Sequence, residues 1–356
     1  MHRNGDKLAI IALYVDDLLI LTSNISTMEK LKLELSHAFE MTDCGEAHYF
    51  LGIKINRSQG NLTIDQCHYI DQILSKFGMK ECKSVITPLI KLNSLDDAER
   101  DDAERDDARD IRNNINRHTT SSQLEEVDQS LYRQIIGSLM FLMIGSRPDL
   151  AVAISFLSQS MSNPSPHHMQ AAKRVLRYIK GTRDLKLHLG NRNHNRKNDG
   201  IMLTGFSDAN WGNDAETRRS TTGYLFYLCD GLISWTSKKQ PTVALSTTEA
   251  EYMALSHAST EAIWLRSFLN ELGFDQIKAT VINEDNQSCI SLAKNPINHA
   301  RTKHIDIRHH FIREKVESNE IAINYIPTEE MIADILTKPL PGPRFRNLVY
   351  LLGLCN

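Results

Sequence analysis

The sequence predicts a mixed α/β (α+β) architecture, a mixed sheet with flanking helices, preceded by a hairpin-rich segment and a helical one. Pattern is the first observation behind this. Between residues 201 and 342, three strand-like stretches run into a long helical period, and strand and helix signals then alternate. Acidic placement is the second. Asp208 and Asp285 fall at strand ends, Glu251 at the start of the long helix and Asp334 inside a short one. Four carboxylates from four separate elements suit two-metal phosphodiester hydrolysis if the fold brings them together.

Bulk properties bound the reading. A chain of 356 residues with 41% apolar residues is long enough for two or three domains with real cores. The formal net charge of -3 hides a local run, because residues 96–110 hold nine acidic side chains against three arginines. The rest is mildly basic, so an anionic partner stays open. Six cysteines (44, 67, 82, 229, 289 and 355) show no CxxC pairing, as expected of reduced thiols in an intracellular protein. Neither an 18-residue apolar run nor a basic-apolar leader is visible, so no membrane partner and no secretion are expected.

In chain order, residues 8–21 read as two apolar strands meeting at Asp16-Asp17. This is either a buried hairpin whose turn contains two aspartates or a turn that presents adjacent carboxylates to a divalent metal. A helix near 27–39, a second hairpin turning at 59–61 and a helix over 66–77 complete the unit 1–90. The repeat Asp-Asp-Ala-Glu-Arg lacks an apolar face, so 91–128 is expected to be a solvated linker. Residues 129–190 turn helical, with a second helix opened by Arg147-Pro148-Asp149 and ended at Asn163-Pro164. A third helix over 167–179 carries Lys173, Arg174, Arg177 and Lys180, which either meet phosphates or form a solvated face. The polar stretch 191–200 is a natural boundary.

Within 201–342, strands are expected over 201–207, 222–228, 232–236, 279–283 and 321–326, with Asp230-Gly231 as a hairpin turn. Helices are expected over 247–272 and 304–317, and residues 343–356 form a tail. On the long helix, Ser246 to Glu249 has capping-box spacing, which assigns Glu249 to the helix start. Glu251 lies about 200° around the helix from Glu249. It belongs to the stripe Leu255, Ala258, Ala262, Leu265 and Leu269 that must face the sheet. Each acid also has an ordinary reading: Asp208 ends a strand, Asp285 caps the next helix, Asp334 sits exposed on its own. His299, His304, His309 and His310 match no zinc spacing.

Several blocks resemble a known family. Tyr14-Val15-Asp16-Asp17 looks like the palm motif of reverse transcriptases, and Phe39 to Asp43 and His48 to Ile53 are similar to copia-type retrotransposon Pol polyproteins. So are Arg218 to Tyr224, Ile233 to Gln240, Ser246 to Ala254, Asp285 to Ser288, His299 to His304 and Ile332 to Leu340. The resemblance implies a partial reverse transcriptase palm (1–90), a helical connection (129–190) and a ribonuclease H-like domain (201–342). It implies an RNA–DNA hybrid endoribonuclease using two Mg2+, or Mn2+, on Asp208, Glu251, Asp285 and Asp334. Asp16 and Asp17 are then a polymerase remnant, since the third palm carboxylate and the fingers of the family precede these residues. Arg218, Arg219, Lys238, Lys239, Asn286, Gln287, Arg301, Lys303, His304 and Arg308 are candidates for contact with the hybrid. A complete reverse transcriptase subunit is a further implied partner, and the cytoplasm, in virus-like particles, or the nucleus is the implied location. The alternative is a non-catalytic nucleic-acid-binding relic of a transposon.

Overall fold

The computed structural model describes residues 2–4, 7–58, 60–90, 127–190, 201–214, 216–294 and 306–356. The acidic repeat, the 191–200 stretch, and Arg301, Lys303 and His304 lie outside the described residues. Among those described, no helix is long and apolar enough to cross a membrane.

Strands β1 (His2–Asn4), β2 (Lys7–Tyr14) and β3 (Asp17–Thr22) form a small antiparallel sheet in which Tyr14 pairs with Asp17. Val15 makes the tight turn in the left-handed region, at φ 53°. Helix α1 (Ile25–Ala38) starts where Asn24 Oδ1 accepts the Thr27 amide at 2.8 Å, and it buries no side chain. The hairpin is not the buried one that its apolar composition suggests. Leu13, Tyr14 and Val15 are 70%, 58% and 78% exposed, because α1 alone cannot cover it.

A second sheet has the order β13-β7-β6-β5-β4, built from β4 (Tyr49–Phe50), β5 (Ile53–Ser58), β6 (Asn61–Asp65), β7 (Lys186–Leu189) and β13 (Leu354–Cys355). Its helices are α2 (Cys67–Lys76), α3 (Gln129–Gly145), α4 (Ala151–Ser158) and α5 (Pro166–Gly181). The Arg147-Pro148-Asp149 block works as a buried knot. Arg147 Nε and Nη2 donate to both Asp149 oxygens at 2.9 and 2.7 Å, and Tyr178 Oη donates to Asp149 Oδ2 at 2.6 Å. Neither the phosphate nor the solvent reading holds for three cations of α5. Arg174 donates to Thr87 Oγ1, Arg177 to the Lys83 carbonyl and Lys180 to the Cys82 carbonyl, strapping the chain after α2 onto the helix.

The third sheet has the order β10-β9-β8-β11-β12. Strands β8 (Leu203–Asn210), β9 (Thr221–Leu228) and β10 (Gly231–Lys239) are antiparallel, while β11 (Thr280–Glu284) runs parallel to β8 and to β12 (Ile321–Tyr325). Helices α6 (Thr247–Glu271), α7 (Gln287–Lys294) and α8 (Asp306–Glu317) belong to it. This is the ribonuclease H-like arrangement that the resemblance implies, a mixed sheet with flanking helices. Leu255, Ala258, Ala262 and Leu265 of α6 bury against Phe226, Ile282 and Ile323 of the sheet, which is the predicted stripe.

Two local expectations are corrected. The β9–β10 turn is Cys229-Asp230, one residue earlier than Asp230-Gly231, with φ of 50° and 66°. Gly231 sits within the strand because a Cβ there would meet the Gly190 amide nitrogen at 2.5 Å, where the end of β7 passes. The C-terminal segment is also more than a tail. Helix α9 (Gly342–Leu351) packs Phe345, Leu348 and Val349 into the core of the helical unit, and β13 pairs with β7 through Leu354 and Leu187.

Candidate metal centre

Strand register places the acids at one end of the third sheet. Asp208 lies near the C-terminal end of β8 opposite Gly223, and Asp285 follows the last residue of β11. Gly223 matters here because a Cβ would meet Thr337 Cγ2 at 2.6 Å and Leu336 Cβ at 2.9 Å. Its bare backbone admits the 3-10 turn Ile332–Leu336, which carries Asp334, beside Asp208. On α6, Ser246 Oγ accepts the Glu249 amide at 3.2 Å, and Glu249 Oε2 reaches back one residue further than expected, to the Leu245 amide at 2.7 Å. Gln240 Nε2 donates to Thr222 Oγ1 and to the Ala250 carbonyl, pinning the helix start to the sheet. Glu251 then faces inward.

One carboxylate oxygen each from Asp208, Glu251 and Asp285 lies within 4.8 Å of the others. Asp208 and Glu251 are buried, at 3% and 7% exposure, and Asp285 is half-buried. Burial pushes the Asp208 carboxyl up to about 7, against the pull of the Lys338 ammonium, with Asp334 and Asp285 adding repulsion. The Glu251 carboxyl is driven well above the usual range by burial and then by Asp208. Its Oε2 has no hydrogen-bond partner, although the Ala209 amide donates to the carboxylate. Three acids in mutual repulsion around an orphaned oxygen are a donor set for a hard divalent cation.

Asp334 does not join that trio. Its Oδ1 meets Lys338 Nζ at 2.5 Å and its Oδ2 meets Arg344 Nη2 at 2.7 Å. The connecting segment is tied to the other acids, since Thr337 Oγ1 donates to Asp208 Oδ2 and Thr328 Oγ1 to Asp285 Oδ2. Sequence reasoning missed Glu284, the residue before Asp285. It is fully buried, and burial and then Asp208 raise its carboxyl well above the ordinary range. Two adjacent acids at a strand end were the available signal, read as one. No local signal marks Arg344.

The cationic candidates divide. Lys238 pairs in register with Thr222, next to the Gly223–Asp208 pair, so Arg218, Arg219 and Lys238 lie at the acidic end of the sheet and are exposed. Lys239 is instead paired with Asp214 at 2.5 Å. Asn286 Oδ1 caps α7 by accepting the Cys289 amide at 2.9 Å, the role that the alternative reading gave to Asp285. Gln287 is exposed in the first turn of α7. Arg308 lies on α8, and Asp16 and Asp17 are exposed on the distant hairpin turn.

Fold and hairpin together define a ribonuclease H-like domain joined to part of a reverse transcriptase palm. Residues 1–91 match the family described as reverse transcriptase (RNA-dependent DNA polymerase). The retrovirus-related Pol polyprotein from transposon TNT 1-94 of Nicotiana tabacum is 40% identical over 347 residues, 97% of this chain and 24% of that polyprotein. An uncharacterised mitochondrial protein of Arabidopsis thaliana is 37% identical over 71% of this chain and 92% of its own length. Among solved structures, LC11-RNase H1 in complex with RNA/DNA hybrid aligns over 38% of this chain and 93% of that one, at 14% identity and a TM-score of 0.30. The chain belongs to the Pol polyprotein family of copia-type retrotransposons. It spans about a quarter of the length of the transposon polyproteins it matches.

Proposed function

We propose that this chain is a metal-dependent endoribonuclease that cuts the RNA strand of an RNA–DNA hybrid. The observation that carries this is the convergence of Asp208, Glu251 and Asp285 within 4.8 Å, two of them buried, with one oxygen of Glu251 unpartnered. These residues, with Asp334, would hold two Mg2+ or Mn2+ ions. Bound there, the ions would supply activation of a water and stabilisation of the leaving 3′-oxygen of the scissile phosphate. The chain's own residues do the rest. Thr337 and Thr328 orient the Asp208 and Asp285 carboxylates, and burial keeps competing water from Asp208 and Glu251. Arg218, Arg219 and Lys238 would meet the hybrid's phosphates from the same end of the sheet, and its shape and 2′-hydroxyls would mark the RNA strand.

The palm segment supplies Asp16 and Asp17 from an exposed turn, two ligands where polymerisation needs several fixed oxygens. We assign it no polymerase activity by itself; a complete reverse transcriptase subunit is the partner that would use it, inside the cell in virus-like particles or in the nucleus. One feature favours the competing reading of a non-catalytic nucleic-acid-binding relic, namely that Asp334 is held by two cations. Mg2+-dependent cleavage of an RNA–DNA hybrid decides between them. The native chain is expected to cut while Asp208→Asn and Glu251→Gln do not, and a folded native chain that cuts nothing sinks the enzyme.

A further inference from the structure

The acidic site is closed by a segment whose anchor lies outside it. Between Pro327 and Lys338, Thr328 holds Asp285, Thr337 holds Asp208, and the segment contributes Asp334 itself. Arg344, in the first part of α9, grips that segment near its start and at Asp334. Its Nη1 donates to the Glu329 carbonyl at 3.1 Å. Its Nη2 donates to the Thr328 carbonyl at 2.8 Å and to Asp334 Oδ2 at 2.7 Å. A planar fork spreads its donors over separated acceptors in a fixed geometry, whereas a lysine offers its three donors from a single point. The position of the fork is set elsewhere, because Phe345 packs edge-to-face on Tyr178 of α5, with ring centroids 5.7 Å apart. Leu348 and Val349 of the same helix join that core.

We infer that Arg344 is a positioning residue for the acidic site, making its affinity for a divalent cation depend on the docking of α9 against the helical unit. The inference rests on reading the acids as a metal centre. With Oδ2 of Asp334 and the Thr328 turn held by Arg344, the Asp334 carboxylate keeps one orientation, its Oδ1 against Lys338, and Thr328 keeps its bond to Asp285. Without Arg344, Asp334 keeps only its pairing with Lys338, and the Thr328 turn loses its side-chain anchor. Charge alone predicts the opposite sign. Removing a cation beside buried carboxylates should tighten binding of a metal ion, whereas losing the positioning weakens it.

The test uses the full chain and Mn2+ alone, titrated by electron paramagnetic resonance without nucleic acid. Arg344→Ala and Arg344→Gln are expected to raise the Mn2+ midpoint about tenfold or more, the scale on which groups orienting metal ligands act. Arg344→Lys keeps the charge but loses the fork, so its midpoint should fall between native and Arg344→Ala. Phe345→Leu, which loosens α9 without touching Asp334, should shift the midpoint in the same direction. Thermal unfolding without Mn2+ verifies that each variant is folded, and Arg344→Gln serves if Arg344→Ala is not. A midpoint within twofold of native in Arg344→Gln, or a lowered one, overturns the positioning role. If the native chain binds Mn2+ but cuts no hybrid, the nuclease reading fails while the midpoints still judge Arg344. If it binds no Mn2+, both fail.

Discussion

The palm hairpin and the ribonuclease H-like sheet each carry aspartates at a strand end, yet the fold treats them differently. Asp16 and Asp17 stand exposed on a turn flanked by exposed Tyr14 and Val15. Asp208 and Glu251 come from a strand and a helix that bury them together with Asp285. Adjacent acids on a solvated turn feel each other weakly, because water screens them. Acids delivered by separate elements into a desolvated pocket repel strongly, and only a rigid scaffold keeps them there. Chemical potential in this molecule therefore follows burial and convergence, not the density of acids in sequence.

Removing a buried acid is the strongest way to break the contrast. Asp208→Asn or Glu251→Gln should lower hybrid cleavage about 10³-fold, equivalent to roughly 4 kcal/mol of barrier. The same substitutions should raise the melting temperature of the metal-free chain. The folded-state value of Asp208 is raised to about 7, so its protonated form is the stable one. Its contribution is complete below the ordinary aspartate range and is lost as pH rises through about 7, and Asp208→Asn should flatten that slope in thermal melts.

The scaffold can be stressed next. Gly231→Ala would drive a Cβ to 2.5 Å from the Gly190 nitrogen, and about 1–3 kcal/mol of stability should be lost in denaturant titration. A smaller effect is expected of Ser246→Ala, which removes the cap of α6 and should cost about 1 kcal/mol in the same measurement. At the other extreme, Asp16→Asn with Asp17→Asn should shift stability by less than about 0.5 kcal/mol and leave hybrid cleavage unchanged. A large effect there would erase the contrast between the two regions.

Much of the third sheet was legible because its elements are long and strongly patterned. The stripe Leu255, Ala258, Ala262 and Leu265 gave both the long helix and the side on which Glu251 faces the sheet. What was not legible depends on contacts distant in sequence. The Cys229-Asp230 turn is displaced by one residue because Gly231 is needed where β7 passes, a constraint supplied by Gly190. Arg174, Arg177 and Lys180 look like a phosphate-binding or solvated face until the 82–87 segment is laid across them. Glu284 escaped because strand alternation assigns adjacent acids to opposite faces, whereas this one is buried close enough to Asp208 to feel its charge. Asp334 was singled out by its block, yet it stands outside the trio, and nothing local announced its ion pairs with Lys338 and Arg344.

The pairing of Leu354 with Leu187 has a mechanical consequence. Everything from β8 to α9 is an excursion between two neighbouring strands of a different sheet, so the nuclease-like unit leaves and re-enters its support at adjacent points. A bead on a single tether can swivel about it. A loop clamped at both ends must break one ladder before it can swing away. Reorientation of the acidic site relative to the helical unit would therefore require unzipping β13 from β7, and protection of the His188 amide, which donates to the Gly353 carbonyl at 3.0 Å, from hydrogen exchange would report how often that happens.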